Sequence, residues 1–330
     1  MTGRPPVIAA TPDHDLLSDL LQGVRLNGSV FLNGRFSDPF AVISPARWQG
    51  DQPLAHLRHA SVFHFVAAGR CAMEMSDGAR VELTAGDLVL LPFTQEHRFW
   101  SGAHGEFVPA DDLVRPGPVP GVHVVAFGGG GAETRLICGF LESSELMPAP
   151  LFRTLPPMLV EKTAGDAVSA TLAASAAALV QTLDQEPQPG APALLGRLME
   201  LLFLEVLRRH AGRLPDGQMG VLAASRDPIL SRALAALHQD AARRWSVEAL
   251  AKVAGTSRSV LAERFSCVLG KAPMDYLAGW RMQIACDLLR ATRRPLPDIA
   301  DAVGYDSAAA FSRAFSRIVG VSPGAWRTTV

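Results

Sequence analysis

An internal repeat near the C-terminal end constrains this chain more than any other feature. LAKVAG, from Leu250 to Gly255, leads into TSRSVLAERFSCVLGKAPMDYL, and IADAVG, from Ile299 to Gly304, leads into YDSAAAFSRAFSRIVGVSPGAW. Ala251 and Gly255 match Ala300 and Gly304 at an offset of 49, whereas Ser257, Leu261, Phe265, Gly270, Pro273 and Tyr276 match Ser307, Phe311, Phe315, Gly320, Pro323 and Trp326 at an offset of 50. One extra residue therefore lies in the turn of the second copy. Each copy has the parts of two helices joined by a tight turn: a small alanine where helices approach, a glycine able to take a left-handed backbone, and a serine able to cap the next helix.

Within that next helix, Leu261 and Phe265, like Phe311 and Phe315, stand four residues apart and are expected to face inward. The outward set is then Arg258, Ser259, Ala262 and Glu263 in the first copy, and Ala308, Ala309, Ser312 and Arg313 in the second. Such groups suit base edges in a major groove: arginine for guanine, serine for several bases, alanine for a thymine methyl, glutamate for the cytosine amine. Ser257, Ser307, Arg281, Arg290, Arg293, Arg294 and Arg317 are candidates for phosphate contacts, which add affinity without sequence choice. Between the copies, DYLAGWRMQIACDLLRATRR aligns Leu277, Trp280, Ile284 and Leu288 along one side, so a long helix is predicted to hold two reading heads for successive grooves.

Charge is segregated to match. Residues 226 to 330 carry 15 Lys or Arg against 9 Asp or Glu, while residues 1 to 225 carry 16 against 23. An acidic front and a basic back suit a protein that presents only its C-terminal part to phosphate. The opening MTGRPPVIAATPDHDLL lacks the apolar core of a signal peptide and no eighteen-residue apolar run exists, so the expectation is a cytoplasmic chain with no membrane partner. Cys71, Cys138, Cys267 and Cys286 are too scattered for a zinc knuckle and read as small buried apolar groups, with redox sensing at Cys71 or Cys138 the alternative.

Residues 24 to 109 alternate short apolar runs with Gly, Pro and Asp-Gly turns, the pattern of an all-β sandwich or barrel, and HVVAFGGGGAETRLICGFL resumes it after the loop PADDLVRPGPVPG. Two helices follow, about 166–183 and 193–210. The second, LLGRLMELLFLEVLRRH, carries more apolar surface than a solvated helix needs, so it packs either on the β domain or on a second chain. The division predicted is 1–161 for the β domain, 162–212 for a helical connector and dimerisation region, 213–226 for a linker, and 227–330 for the helical repeat domain, where Asp227 caps the first helix.

WSVEALAKVAGTSRSVLAERFSCVLGKAPMDYLAGWRMQIACDLLR with IADAVGYDSAAAFSRAFSRIVGVSPGAWR resembles the DNA-binding domain of AraC/XylS-type transcriptional regulators. That resemblance implies seven helices, two helix-turn-helix units, base reading by the outward residues of the first recognition helix, and a second unit that either reads bases or steadies the complex. Ala262, Glu263, Ala308 and Ala309 depart from the larger polar or basic side chains common there. SVFHFVAAGRCAMEM, LTAGDLVLLPFTQEHRF and TRLICGFLESSELMPAPLFRTLPPMLVE resemble the cupin-type sensor domain of one branch of these regulators. The fold class expected is thus a two-domain α+β chain: a cupin-like β-barrel with accessory helices, then an all-α domain with two helix-turn-helix units.

Enzymatic cupins hold a metal with three histidines and a glutamate. By that resemblance His97 matches the last histidine and His56 the first, but Arg58 and Val62 stand where the others would be. His64 shares a strand face with Val62 and is a possible substitute. For His56, His64 and His97 three readings stay open: polar contacts to an organic effector, a metal site, or hydrogen-bonded core. Phe63, Phe65, Met73, Met75 and Phe99 are either barrel lining or ordinary core. No Walker motif, dinucleotide fingerprint or hydrolase elbow is present, no cofactor is called for, and no catalytic residue is assigned. The function expected is effector-controlled, sequence-specific binding of promoter DNA by a homodimer; an activator's contact with RNA polymerase is what the family resemblance implies. The alternatives are a barrel used only for dimerisation or protein docking, and a metal-dependent cupin enzyme fused to a DNA-binding module.

Overall fold

Along ASVFHFVAA, Val62, His64 and Val66 alternate with Phe63 and Phe65, and a strand sends these two sets to opposite faces of its sheet. The computed structural model describes residues 16–18, 26–46, 60–143, 155–162, 170–215 and 217–329. Arg25–Leu146 with Leu155–Arg213 form one compact unit, and Leu214–Val330 belong to a second.

The first unit is built on two sheets. Its strands are β1 (Leu26–Ser37), β2 (Phe40–Ser44), β3 (Ala60–Ala68), β4 (Arg70–Met75), β5 (Arg80–Thr84), β6 (Asp87–Leu91), β7 (His97–Ser101), β8 (Val108–Pro109), β9 (Arg115–Pro116), β10 (His123–Gly128), β11 (Glu133–Ser143) and β12 (Leu159–Lys162). One sheet runs β12-β6-β3-β11-β1-β10-β9 and the other β5-β4-β7-β2-β8, with the short helix α1 (Ala110–Leu113) between β8 and β9. The inward residues of both sheets share one core, in which Val62 and Val66 meet Phe31, Phe40, Met73, Met75 and Phe99. Phe63 and Phe65 are not part of that interior. They lie on the outer face, Phe63 beside Met199 and Phe203 and Phe65 beside Ala173 and Ala177, because strand alternation turns them away from the barrel.

Those outer residues are covered by α2 (Ala170–Asp184) and α3 (Ala191–Arg213). Helix α3 comes down onto β1 where two glycines meet: a Cβ on Gly196 would lie 2.5 Å from the Gly28 carbonyl, and one on Gly28 would lie 2.6 Å from the Gly196 carbonyl. Its last turn is tied to β12 through buried Glu161, which accepts from Arg209 Nε at 2.7 Å and Arg213 Nη1 at 2.8 Å. The apolar excess of this helix is therefore spent largely on its own β domain, and Leu194 and Leu201 are left exposed.

The second unit is helical. Its helices are α4 (Val221–Arg226), α5 (Pro228–Gln239), α6 (Val247–Ala254), α7 (Arg258–Arg264), α8 (Pro273–Ala291), α9 (Leu296–Ala302), α10 (Ala308–Val319) and α11 (Pro323–Thr329). The stretch 213–226, read from sequence as linker, contains α4, and the Gly220 N–H donates to the Val268 carbonyl at 2.6 Å. Asp227 caps α5 through Ile229 N and Leu230 N, with Pro228 in the first turn, where its missing N–H costs nothing. From α5 onward seven helices follow, as the family resemblance implied.

Helix α8 serves two cores. Tyr276 and Leu277 are buried toward its start, and Met282, Ala285, Cys286 and Leu289 pack on Phe311, Phe315 and Trp326 toward its end. The predicted stripe of Leu277, Trp280, Ile284 and Leu288 is thus shifted: only Leu277 of the four is fully buried, and Trp280 instead stacks on His238 with ring centroids 4.0 Å apart.

Candidate nucleic-acid interface and barrel site

Each repeat copy folds as two helices around a left-handed glycine, Gly255 at φ 68° and Gly304 at φ 77°. Ser257 Oγ accepts from Val260 N at 3.3 Å and Ser307 Oγ from Ala310 N at 3.2 Å, so both reading helices α7 and α10 start on serine caps. Leu261, Phe265, Phe311 and Phe315 have no exposed surface, which turns the remaining faces to solvent. Arg258, Ser259, Glu263, Ala309 and Arg313 are exposed, and Ala262, Ala308 and Ser312 are half-buried. The helices are unequal. Helix α7 passes into a π-helical turn, Phe265–Leu269, where Val268 takes the Gly220 bond, whereas α10 is regular throughout.

The charges on these faces differ as well. Arg258 Nη1 lies 2.5 Å from Glu248 Oε1 on α6, a pair more than half exposed on both sides and therefore easily exchanged for a phosphate or base partner. Arg264 is paired with Asp227 instead of with its sequence neighbour Glu263. Among the described residues Glu263 has no cationic partner, and neither Arg313 nor Arg317 makes an ion pair.

Two of the phosphate candidates are placed otherwise than expected. Arg281 points into the protein, where its Nε donates to the Ala241 carbonyl at 2.7 Å and its Nη2 to the Arg243 carbonyl at 2.9 Å. Arg290 is half-buried, with its guanidinium carbon 5.9 Å from the centroid of the Trp326 ring. Both are half-buried, and a count of charges along the chain says nothing of direction. Arg293, Arg294 and Arg317 are exposed. Sequence reasoning missed Arg232, which donates to the Ala254 carbonyl at the end of α6, and the ion pair of Arg244 with Asp306. The repeat placed one extra residue in the second turn, but nothing in the sequence marked it as Asp306 or Arg244 as its partner.

In the β domain, His64 on β3 and His97 at the start of β7 come from opposite sheets and meet with ring centroids 4.7 Å apart, both 2% exposed. His56 lies outside the described residues. Phe99 packs edge-on to both rings. Burial lowers both imidazole pKa values: His97 falls to about 4, and His64 lies well below 6.5, held down further by His97. The pair is therefore neutral at pH 7. His97 Nδ1 is 2.7 Å from the Gln95 carbonyl, and because a carbonyl can only accept, that nitrogen carries the proton and Nε2 bears a lone pair. His64 Nδ1 lies 2.9 Å from Cys138 Sγ. The Nε2 atoms of both rings are buried without a hydrogen-bond partner.

Burial raises the Cys138 thiol and, aided by Glu82 and Asp87, pushes Cys71 up to about 12, so neither is a thiolate at neutral pH. Among the described residues no group of three or more His, Cys, Asp or Glu is placed to hold a metal ion, and no helix is long and apolar enough to cross a membrane.

Two recognition helices on one helical unit, joined to a β domain of two facing sheets, define a helix-turn-helix DNA-binding protein. Comparison with known proteins agrees on both units: a cupin family model matches residues 15–212 and a helix-turn-helix domain model matches residues 250–329. The chain is 32% identical over 318 residues to an AraC-like transcription regulator of Streptomyces antibioticus, covering 96% of this chain and 98% of that protein. It is 28% identical to the HTH-type transcriptional regulator AlkR of Acinetobacter baylyi, over 95% of this chain and 99% of that one. Among solved structures, the DNA-binding domain of AdpA in complex with a target DNA is 29% identical, covering 31% of this chain and 91% of that chain, with a TM-score of 0.30. The chain belongs to the AraC-like transcription regulators, with a cupin-type N-terminal domain and a C-terminal helix-turn-helix domain that binds DNA.

Proposed function

We propose that this regulator reads promoter DNA with both recognition helices, through Arg258, Ser259, Ala262 and Glu263 on α7 and Ala308, Ala309, Ser312 and Arg313 on α10. Ser257, Ser307, Arg293, Arg294 and Arg317 contact phosphate. The observation that carries this reading is the pair of serine-capped helices whose apolar sides are fully buried and whose opposite sides face solvent. Binding of the full chain to duplexes that differ at single base pairs tests it. Replacing Arg313 with alanine is expected to lower affinity for one preferred base pair by about 1–3 kcal/mol and to leave the others discriminated as before. Equal loss at every position would reduce Arg313 to a phosphate contact.

The barrel, in this reading, is a sensor for a small molecule and performs no catalysis. Two buried imidazole nitrogens without partners cost roughly 1–3 kcal/mol each, so a ligand that satisfies them gains that much. His97 Nε2 accepts; Val62, Met75 and Phe99 of the neighbouring core are apolar, while a cavity of about 150 Å³ beside His97 is also lined by Glu74, Glu96 and Arg98. The effector is therefore inferred to carry a hydroxyl or amine donor for that nitrogen. Thermal unfolding of the full chain with short alcohols and with the matching carboxylates tests this: the alcohols should raise the midpoint and the acids should not.

The exposed Leu194 and Leu201, two turns apart on α3, favour homodimerisation through that helix and also support the second reading, in which the barrel only dimerises or docks a protein. No response to either probe class, with dimerisation intact, would select the second reading. A cytoplasmic location, activation of transcription and contact with RNA polymerase complete the proposal. The boundaries proposed are 1–161, 162–212, a shortened linker before Val221, and the DNA-binding unit from there on.

A further inference from the structure

We infer that the two helix-turn-helix units are set against each other by a side-chain junction in addition to the backbone of the connecting helix, with that helix's Arg281 as its central positioning residue. The loop 240–245, which follows α5 in the first unit, turns its carbonyls toward α8. Arg281 Nε bonds to Ala241 O at 2.7 Å and Nη2 to Arg243 O at 2.9 Å, with Ala242 O 3.5 Å away, so one guanidinium gathers three successive carbonyls. The guanidinium carbon also lies 5.6 Å from the centroid of the Tyr305 ring, in the turn of the second unit. That turn is pressed against the same loop: a Cβ on Gly304 would stand 2.3 Å from the Ala242 carbonyl oxygen. The carboxylate of Asp306 also reaches the Arg244 guanidinium, in a pair exposed on both sides that adds little strength.

Asp306 is the residue by which the second copy of the repeat exceeds the first. The first turn has no such buttress, since a Cβ on Gly255 would meet nothing nearer than Arg232 Nη2 at 3.6 Å. The insertion thus has a geometric task. It adds a weak, exposed ion pair to the other unit, while Arg281, placed as a phosphate contact by its charge alone, holds the loop itself. Reading two successive grooves demands that both recognition helices keep one relative angle, and binding both sites at once gains affinity only while that geometry holds.

This rests on the reading that both units contact DNA, and the experiment separates the two claims. A duplex is selected from a random library by the wild-type full chain and footprinted. Affinities are then measured for it, for the same duplex with its second half randomised, and for one with about five base pairs, half a helical turn, inserted between the halves. Arg281→Met is expected to lose roughly tenfold on the selected duplex, to bind the half-randomised duplex as the wild type does, and to be penalised less by the insertion. Asp306→Ala is expected to move the same way by less, and the charge swap Arg244→Asp with Asp306→Arg to restore the wild-type spacing penalty. A folded Arg281→Met that keeps the full advantage of the selected duplex overturns the inference. Equal loss on all three duplexes, with the salt dependence lowered by about one charge, also overturns it, because that is the signature of a phosphate contact. Should Arg281→Met not fold, Arg281→Lys, which keeps the charge but not the fork that reaches three carbonyls, takes its place, and an unchanged spacing penalty there rejects the inference. A wild-type footprint confined to one groove defeats the two-unit reading and the inference together.

Discussion

Arg313 and Glu263 occupy comparable outward places on the two reading helices, yet only one of them suits a polyanion. Without a cationic partner among the described residues, Glu263 repels the backbone unless it accepts from a base. Glu263→Gln is therefore expected to raise nonspecific affinity and to relax preference at one base pair, which competition binding against random duplex measures. At His97 the prediction concerns stability. Its folded pKa of about 4 lies below the ordinary 6.5, so the folded state resists protonation that the unfolded chain accepts. The stability it contributes is complete above pH 6.5 and falls as pH drops toward 4, by on the order of 3 kcal/mol. His238, stacked on Trp280 and also lowered to about 4 by burial, adds the same slope in the helical unit. Denaturant midpoints between pH 7 and 4.5 should fall in the wild type and fall less in His97→Gln; parallel curves would refute this assignment. The serine caps and the outward residues were legible in the sequence because both follow from spacing. The inward turn of Arg281 and Arg290 was not, because charge does not encode direction.

Among the elements, the turns of the two units give the sharpest contrast. Both glycines have left-handed backbones, so alanine at either costs about 1 kcal/mol through the backbone alone. At Gly304 the added methyl also meets the Ala242 carbonyl, an overlap that costs typically a further 1–3 kcal/mol. Gly304→Ala should therefore destabilise the chain clearly more than Gly255→Ala in chemical denaturation, and equal losses would contradict the junction. The repeat made both turns legible, and it even located the extra residue, but it could not reveal that the second turn rests on a loop sixty residues earlier. Helix α4 was missed because VLAASR is too short to show a period and follows a stretch rich in glycine. In the β domain, alternation along β3 separated Val62 and His64 from Phe63 and Phe65 correctly, but which face lies inside depends on α2 and α3 covering the other.

At the scale of the whole molecule, the basic surplus of residues 226–330 against the acidic balance before it gives the chain one end suited to DNA. Each phosphate neutralised contributes a slope of about −0.9 in log affinity against log salt, so an interface using Arg293, Arg294 and Arg317 should weaken steeply as salt rises. If the proposed homodimer forms through α3, glutamate in place of both Leu194 and Leu201 is expected to shift the full chain from dimer to monomer in sedimentation and weaken binding to a paired site, while leaving the fold intact, because both side chains are exposed. An unchanged dimer would move the interface elsewhere. The most direct test of the central claim is hydroxyl-radical footprinting of the full chain on a selected duplex, with affinities for it and for random duplex measured at rising salt. The account predicts, for each protomer bound, two protected segments on one face, about 34 Å apart, and a preference over random duplex of roughly a thousandfold or more at physiological salt. Equal affinity for random duplex, or protection without that spacing, would contradict it.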